Sequence, residues 1–159
     1  MKTIMWTMLL GLTLLFTESA VPAVAQDKPA DNMQLVREKI KADKKLLVAD
    51  NMQLTEAETK AFWPVYDAYQ KELSKLADRT IKLIQDYAAS YATMTNETAK
   101  KLVDESMAIE SDRSKLRQAY LPKFRQTLSE IKVARYYQIE NMIQAAVNYD
   151  LAAGIPLVQ

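Results

Sequence analysis

Glycine and proline, the residues that most often interrupt helices, are nearly missing from the long central part of this chain. Between Pro29 and Gly154 there is no glycine, and only Pro64 and Pro122 interrupt the run. Alanine, leucine, lysine, glutamate and glutamine fill most other positions, and all five are good helix formers. The sequence therefore predicts an all-α fold.

Residues 1–25 have the composition of a secretory signal peptide. Lys2 supplies a positive charge, residues 4–16 form an apolar run, and the small residues Ala23 and Ala25 fit a cleavage pattern. The apolar run is shorter than the roughly 20 residues that a membrane-spanning helix needs. We therefore expect export, removal of this segment, and no membrane insertion after cleavage.

We expect residues 26–159 to form a single helical domain in the periplasm. The whole chain contains no cysteine, so neither a disulfide framework nor a lipid anchor on cysteine is available. A small exported protein without disulfides fits a bacterial periplasm. The net charge of +1 argues against a nucleic-acid partner, which requires a basic excess concentrated on one face.

Histidine is also missing, and this narrows the available chemistry. Without imidazole there is no histidine general base, no Ser-His pair and no histidine-ligated metal. Between Gln34 and Tyr149 no two acidic residues stand three or four positions apart, so no helix there presents paired carboxylates on one face. We therefore expect a protein that is not an enzyme, with no catalytic residues, cofactor or bound metal.

A large apolar residue is followed directly by a hydroxyl residue at three places: Leu54-Thr55, Met94-Thr95 and Leu128-Ser129. A serine or threonine hydroxyl at a helix start accepts a hydrogen bond from a backbone amide that has no other partner. Glu58 stands three residues after the first hydroxyl and completes a capping box. We therefore expect a helix to begin after each of these pairs.

These signals predict four helices, over residues 31–50, 56–92, 96–121 and 130–151. The second helix would span roughly 55 Å, with a bend at Pro64, and Pro122 would end or kink the third. A helix of that length does not fit inside a compact bundle. We therefore expect an elongated antiparallel four-helix hairpin array, a thin shape that often completes its core by dimerising, here as a cradle-like dimer.

Apolar residues recur at helical spacing and predict the inward faces. On helix two they are Phe62, Tyr66, Tyr69, Leu73, Leu76, Thr80, Leu83, Tyr87 and Tyr91. On helix one they are Met33, Val36, Ile40 and Leu47. On helix three they are Ala99, Leu102, Ile109, Leu116 and Tyr120, and Ser106 and Arg113 interrupt this stripe. Core packing is the first interpretation of the aromatic stripe on helix two, and a client-binding surface is the alternative.

Two further groups are candidates for a client or partner surface. A basic run on helix one consists of Lys39, Lys41, Lys44 and Lys45, and it forms either a solvated face or a surface that steers acidic clients. Arg113 either pairs with a carboxylate across the hairpin or lines a polar concavity. The tail residues Ile155, Leu157 and Val158 follow a helix stop, so they lie on their own chain, on a second subunit or on a partner.

The segment Leu54-Thr55-Glu56-Ala57-Glu58 resembles the Leu-Thr-x-x-Gln motif of the Spy/CpxP family of periplasmic helical proteins. Weaker copies are Met94-Thr95 and Leu128-Ser129. The chain departs from the family where Glu58, Thr98 and Lys132 replace the favoured glutamine. The segments Phe62-Trp63-Pro64-Val65-Tyr66 and Tyr137-Gln138-Ile139-Glu140-Asn141 indicate a divergent branch.

The resemblance implies one of the roles known in that family. These are an ATP-independent chaperone, an inhibitor of an envelope-stress sensor kinase, and metal sensors that use histidines. Our leading hypothesis is a chaperone or envelope-stress protein that holds partly unfolded clients. The first alternative is a dedicated regulatory partner of a membrane sensor protein. The second is a metal-responsive protein, which would need carboxylates converging from different helices.

Overall fold

The computed structural model describes the backbone of residues 29–158 and the side chains of residues 38–158. Four α-helices make up this part of the chain: α1 (Pro29–Met52), α2 (Glu56–Ser90), α3 (Asn96–Arg125) and α4 (Glu130–Gly154), with a 3-10 turn at Tyr91–Thr93. No strand occurs within the described residues, and the all-α prediction is confirmed. The predicted signal peptide lies outside them. The chain divides between Glu38 and Lys39, and the helices pack against one another in the part that begins at Lys39.

The three predicted helix starts are confirmed. Thr55, Thr95 and Ser129 each have an extended backbone, and each hydroxyl accepts a hydrogen bond from the amide three residues later. At Thr55 the backbone amide also donates to Glu58 Oε2 at 2.8 Å, which completes the capping box. Local hydrogen bonding therefore fixes where α2, α3 and α4 begin.

Proline does not end the long helices. Pro64 lies inside the long, bent α2, as expected. Pro122 lies inside α3, which continues to Arg125, so the predicted end at residue 121 was one turn too early. The extra turn carries Phe124 into the core, where its side chain is completely buried. That burial favours continuing the helix although proline removes one backbone hydrogen bond.

The inward face predicted for α2 is confirmed. Phe62, Tyr66, Tyr69 and Leu76 are buried, and the other members of the stripe are half-buried. On α3 the half-buried Arg113 falls on the inward stripe, as the sequence indicated. Helical periodicity alone was therefore sufficient to orient both helices.

The face predicted for α1 was wrong at Ile40 and Leu47, and the side chains of Met33 and Val36 lie outside the described residues. Ile40 and Leu47 are exposed, whereas Val48 and Met52 are completely buried. Lys44 stands four residues before Val48 and shares its face. The inward row of α1 thus consists of Lys44, Val48 and Met52. Because Lys44 is charged, the sequence alone does not mark this row as an inward face. It faces inward because Glu140 of α4 pairs with Lys44.

The core is an aromatic cluster contributed by α2, α3 and α4. Its members are Phe62, Trp63, Tyr66, Tyr69, Tyr120, Phe124, Tyr136 and Tyr137. The rings of Phe124 and Tyr136 have their centroids 4.6 Å apart, and the ring of Phe62 lies 5.3 Å from that of Tyr136 at an interplanar angle of 81°. Edge-to-face and tilted pairs of this kind add to the free energy gained by burying the rings.

The remainder of the helices is packed differently. We call it the distal half: α2 from Leu76 onward, α3 up to Arg113, and α4 from Met142 onward. Of its described apolar side chains, Leu76 and Ile109 are the buried ones. Other apolar side chains of this half, such as Leu83 and Leu102, are half-buried, and ion pairs and hydrogen bonds also link its helices. The C-terminal tail meets α2 where the Tyr87 hydroxyl donates to the Pro156 carbonyl at 2.7 Å.

Candidate partner-binding surface

Charge is distributed unevenly along α4 and the tail that follows it. Residues 141–158 contain one charged side chain, Asp150. The preceding part of the helix carries four, namely Glu130, Lys132, Arg135 and Glu140. The second part of α4 therefore presents an almost uncharged surface.

Four small or apolar residues share one face of this second part: Met142, Ala146, Tyr149 and Ala153. They recur every three or four positions, so they form a continuous row along the helix. All four are exposed, Met142 at 70% and Tyr149 at 74% of the full accessible area. We call this row the α4 apolar face. Contiguous exposed apolar surface is characteristic of interaction sites.

The apolar tail extends the same uncharged region. Its backbone is tied to its own chain by the hydrogen bond from Tyr87 to Pro156. Ile155 is half-buried, whereas Leu157 is 88% exposed and Val158 is also exposed. The tail thus contacts α2 through one hydrogen bond and leaves two of its three apolar side chains uncovered.

Arg113, for which the sequence left two roles open, links α3 to α4. Its guanidinium donates to Gln144 Oε1 at 2.8 Å. Arg113 therefore binds an amide side chain of α4, whereas Arg79 of α2 pairs with two carboxylates of α3. This hydrogen bond links the second part of α4 to α3.

The basic run on α1 does not act as one surface. Lys44 Nζ lies 2.8 Å from Glu140 Oε2, and Lys45 Nζ lies 2.8 Å from Asp67 Oδ1. Lys45 Nζ is also 4.9 Å from the centroid of the Trp63 ring. The side chains of Lys39 and Lys41 are exposed. Lys44 and Lys45 thus bind within their own chain and do not form part of an open basic surface.

A buried polar cluster joins α1, α2 and α4, and the sequence did not predict it. Lys44 Nζ donates to Gln70 Oε1 at 3.0 Å as well as to Glu140, and Gln70 Nε2 donates to Glu140 Oε1 at 2.9 Å. Glu140 is only 8% exposed. Burial, with the nearby carboxylate, raises the pKa of Tyr136, whose hydroxyl lies 3.4 Å from Gln70 Nε2. The available signal was the position of Glu140, which follows Val133 and Tyr136 at helical spacing and so shares the buried side of α4 with them.

A second unpredicted group lies in the distal half. Arg79 Nε is 2.9 Å from Glu105 Oε1, and Arg79 Nη1 is 2.8 Å from Asp112 Oδ2. The guanidinium lowers the pKa of both carboxyl groups by hydrogen bonding to them. Because the partners are 26 and 33 residues away in sequence, no local pattern indicates them.

Residues at the starts of α2 and α4 also form a polar contact between these two helices. Lys132 Nζ bonds to Glu58 Oε2 and, at 3.0 Å, to the Gln53 carbonyl oxygen. The ammonium and the Thr55 backbone amide together lower the pKa of Glu58 to about 2. Two of the three helix-start motifs, those at Thr55 and Ser129, are thereby joined through Glu58 and Lys132. The third, at Thr95, lies at the other end of the α2–α3 hairpin.

Comparison of the chain with protein-family models, with curated proteins and with solved structures found no match. Within residues 38–158, no three acidic side chains converge as a metal site would require. None of the described helices is both long enough and apolar enough to cross a bilayer. The functional hypothesis therefore depends on the sequence motifs and on the surface of α4.

Proposed function

We propose that this protein is an exported, non-catalytic binding protein of the periplasm that acts as an ATP-independent chaperone for partly unfolded clients. The observation that carries the proposal is the exposed α4 apolar face, and Leu157 and Val158 of the tail are exposed as well. Asp150 is the one charged residue within residues 141–158, and the α4 apolar face is exposed in the single chain. The resemblance of the Leu54–Glu58 segment to the Spy/CpxP motif supports the same role.

The chemistry of this surface suits clients of many sequences. Partly unfolded proteins expose apolar side chains, and burying one large apolar side chain contributes about 1.5–3 kcal/mol. Methionine is unbranched and adapts to different partners, so Met142 adds contact area without demanding one shape. Few charges also mean few fixed hydrogen-bond requirements. Binding of this kind is reversible and selects clients by exposed apolar area rather than by sequence.

The test is suppression of aggregation of two unrelated unfolded proteins, with light scattering as the readout. We expect the wild-type protein to suppress aggregation of both. The double variant Met142→Lys/Tyr149→Lys places two charges on the α4 apolar face and should lose most of this activity. Both residues are exposed, so circular dichroism should show unchanged helix content and thermal stability.

Ile131→Lys is the matched control. Ile131 is 76% exposed on the same helix, but Glu130 and Lys132 flank it. This variant should suppress aggregation as well as the wild type does. Failure of the wild type with both clients would refute the chaperone role. Full activity in the double variant would show that clients bind elsewhere, and protection of only one client would favour a dedicated partner.

Export has its own test. Ala23 and Ala25 predict cleavage before Gln26. Mass spectrometry of the protein from the envelope fraction should give a mature N-terminus at Gln26. Recovery of a chain that still begins at Met1, or recovery from the cytoplasm, would remove the periplasmic part of the proposal.

A further inference from the structure

The part of α1 that begins at Lys39 is attached to the other helices through few side chains. Val48 and Met52 are its buried apolar residues. The other large apolar side chains in this part, Ile40, Leu46 and Leu47, are exposed. Lys44 and Lys45 add contacts with α2 and α4. α1 is thus held mainly by two apolar and two charged side chains along one face.

The lysine contacts are unequal in burial. Lys45 and Asp67 are both substantially exposed, so solvent screens their attraction. Lys44 and Glu140 are mostly shielded, at 18% and 9% exposure of their side chains. While α1 is in place, Lys44 supplies the cation that Glu140 needs. Removing one partner of such a pair leaves a buried charge without compensation, and opening of the structure then relieves it.

The three other helices have independent contacts with one another. The rings of Phe62, Phe124 and Tyr136 pack together from α2, α3 and α4. None of these pairs involves α1. Displacing α1 therefore uncovers one side of the aromatic cluster without separating α2, α3 and α4.

Residues 53–55 separate α1 from α2. Gln53 adopts φ 48°, the left-handed region that favours glycine, and it ends α1. Its carbonyl oxygen is bound by Lys132 Nζ at 3.0 Å. The capping box at Thr55 fixes the start of α2 on the other side. A rotation about the N–Cα bond of Gln53 would move α1 and leave the Gln53 carbonyl and the start of α2 in place.

We propose that α1 from Lys39 to Met52 is a charge-latched cover that opens as a unit while α2, α3 and α4 stay folded. The Lys44–Glu140 pair is the latch. Opening uncovers Trp63, Tyr66 and the carboxylate of Glu140, and the carboxylate of Asp67 is exposed already. The uncovered surface is aromatic and acidic. It is therefore complementary to Lys44, Val48 and Met52, the row of residues that α1 packs against it.

The chain has no cysteine, so a single introduced thiol reports accessibility without background. Met52→Cys places the reporter on the buried face of the cover, and Ile109→Cys places a matched reporter in the α2–α3 hairpin, where Ile109 is buried. The rate of thiol labelling is measured for each reporter with and without Lys44→Met. We expect Lys44→Met to accelerate labelling at position 52 at least about tenfold and to change it less than about twofold at position 109.

Glu140→Gln breaks the latch from the α4 side and should give the same pattern. Asp67→Asn breaks the exposed pair and should accelerate labelling at position 52 by less than about threefold. Equal acceleration at positions 52 and 109 would show that the latch residues stabilise the whole fold. No acceleration at position 52 in either latch variant would show that charge does not hold α1. Either result overturns the proposal, whatever the outcome of the aggregation assay.

Discussion

The aromatic cluster and the distal half are built from the same helices but are stabilised in different ways. In the cluster, Phe62, Phe124 and Tyr136 fill the space between α2, α3 and α4 with completely buried rings. In the distal half, Arg79 reaches across from α2 to two carboxylates of α3, and all three side chains remain more than one-third exposed. Continuous helices therefore do not imply uniform stability along their length.

The comparison indicates that one region supplies the stability of the fold and the other supplies the surface for binding. Buried rings contribute large free energies, whereas exposed ion pairs contribute little. The cluster therefore carries the stability of the fold. The distal half exposes some of its apolar residues, among them Met142 and Tyr149, where a partner can reach them.

The largest expected effect comes from emptying the cluster. Phe124→Ala should lower the free energy of unfolding by about 3–5 kcal/mol, because Phe124 contacts rings of α2 and α4. Leu83→Ala in the distal half removes a half-buried side chain and should cost clearly less. Urea denaturation followed by circular dichroism measures both. Equal losses would contradict the division into two regions.

Removal of a helix cap should lower the free energy of unfolding by less, and the loss should again depend on which region the cap belongs to. Thr55→Ala removes the cap of α2 next to the cluster and should cost about 1 kcal/mol. Thr95→Ala removes the cap of α3 at the distal end, where local fraying absorbs the loss, so the global free energy should fall less. Ser111→Ala, at an exposed position inside α3, should be nearly neutral. A larger loss for Thr95→Ala than for Thr55→Ala would reverse the expected order.

Acid should weaken the junction of α2 and α4. Glu58 has a folded-state pKa of about 2, lowered from 4.5, so its carboxylate stabilises the fold above about pH 4.5. This contribution is lost as the pH falls from 4.5 through 2. Glu58→Gln should therefore lower the urea midpoint at about pH 6 and leave it close to that of the wild type near pH 2. An unchanged difference at both pH values would exclude the ion pair with Lys132 as the cause.

The smallest effect is expected for the exposed ion pairs of the distal half. Arg79→Gln should reduce stability slightly at low ionic strength. In about 1 M salt, where the screening length is about 3 Å, the difference from the wild type should nearly vanish. A loss comparable to that of Phe124→Ala, or one that salt does not change, would mean that the Arg79 group is a second core.

The parts of the fold that sequence reasoning predicted are those fixed by local interactions. Thr55, Thr95 and Ser129 bond to amides three residues away, and the α2 stripe follows helical periodicity. The face of α1 was missed because Lys44 is made tolerable by Glu140, 96 residues later in the chain. The end of α3 was missed because burial of Phe124 outweighs the hydrogen bond that Pro122 lacks.

The candidate binding surface was predicted only in its tail. Ile155, Leu157 and Val158 follow a helix stop, and this local signal marked them. The α4 apolar face was not recognised, because an uncharged helical segment is equally typical of a buried helix. Whether a neighbouring helix covers Met142 and Tyr149 depends on tertiary packing, which periodicity does not reveal.

Hydrogen exchange along α2 tests the central claim most directly, because this one helix passes through both regions. Amides near Tyr66 and Tyr69 should exchange only with global unfolding. Amides from Thr80 to Tyr87 should exchange at least about 100-fold faster, through local opening of the distal half. Protection that is uniform from Tyr66 to Tyr87 would show that the two regions unfold as one and would contradict the account.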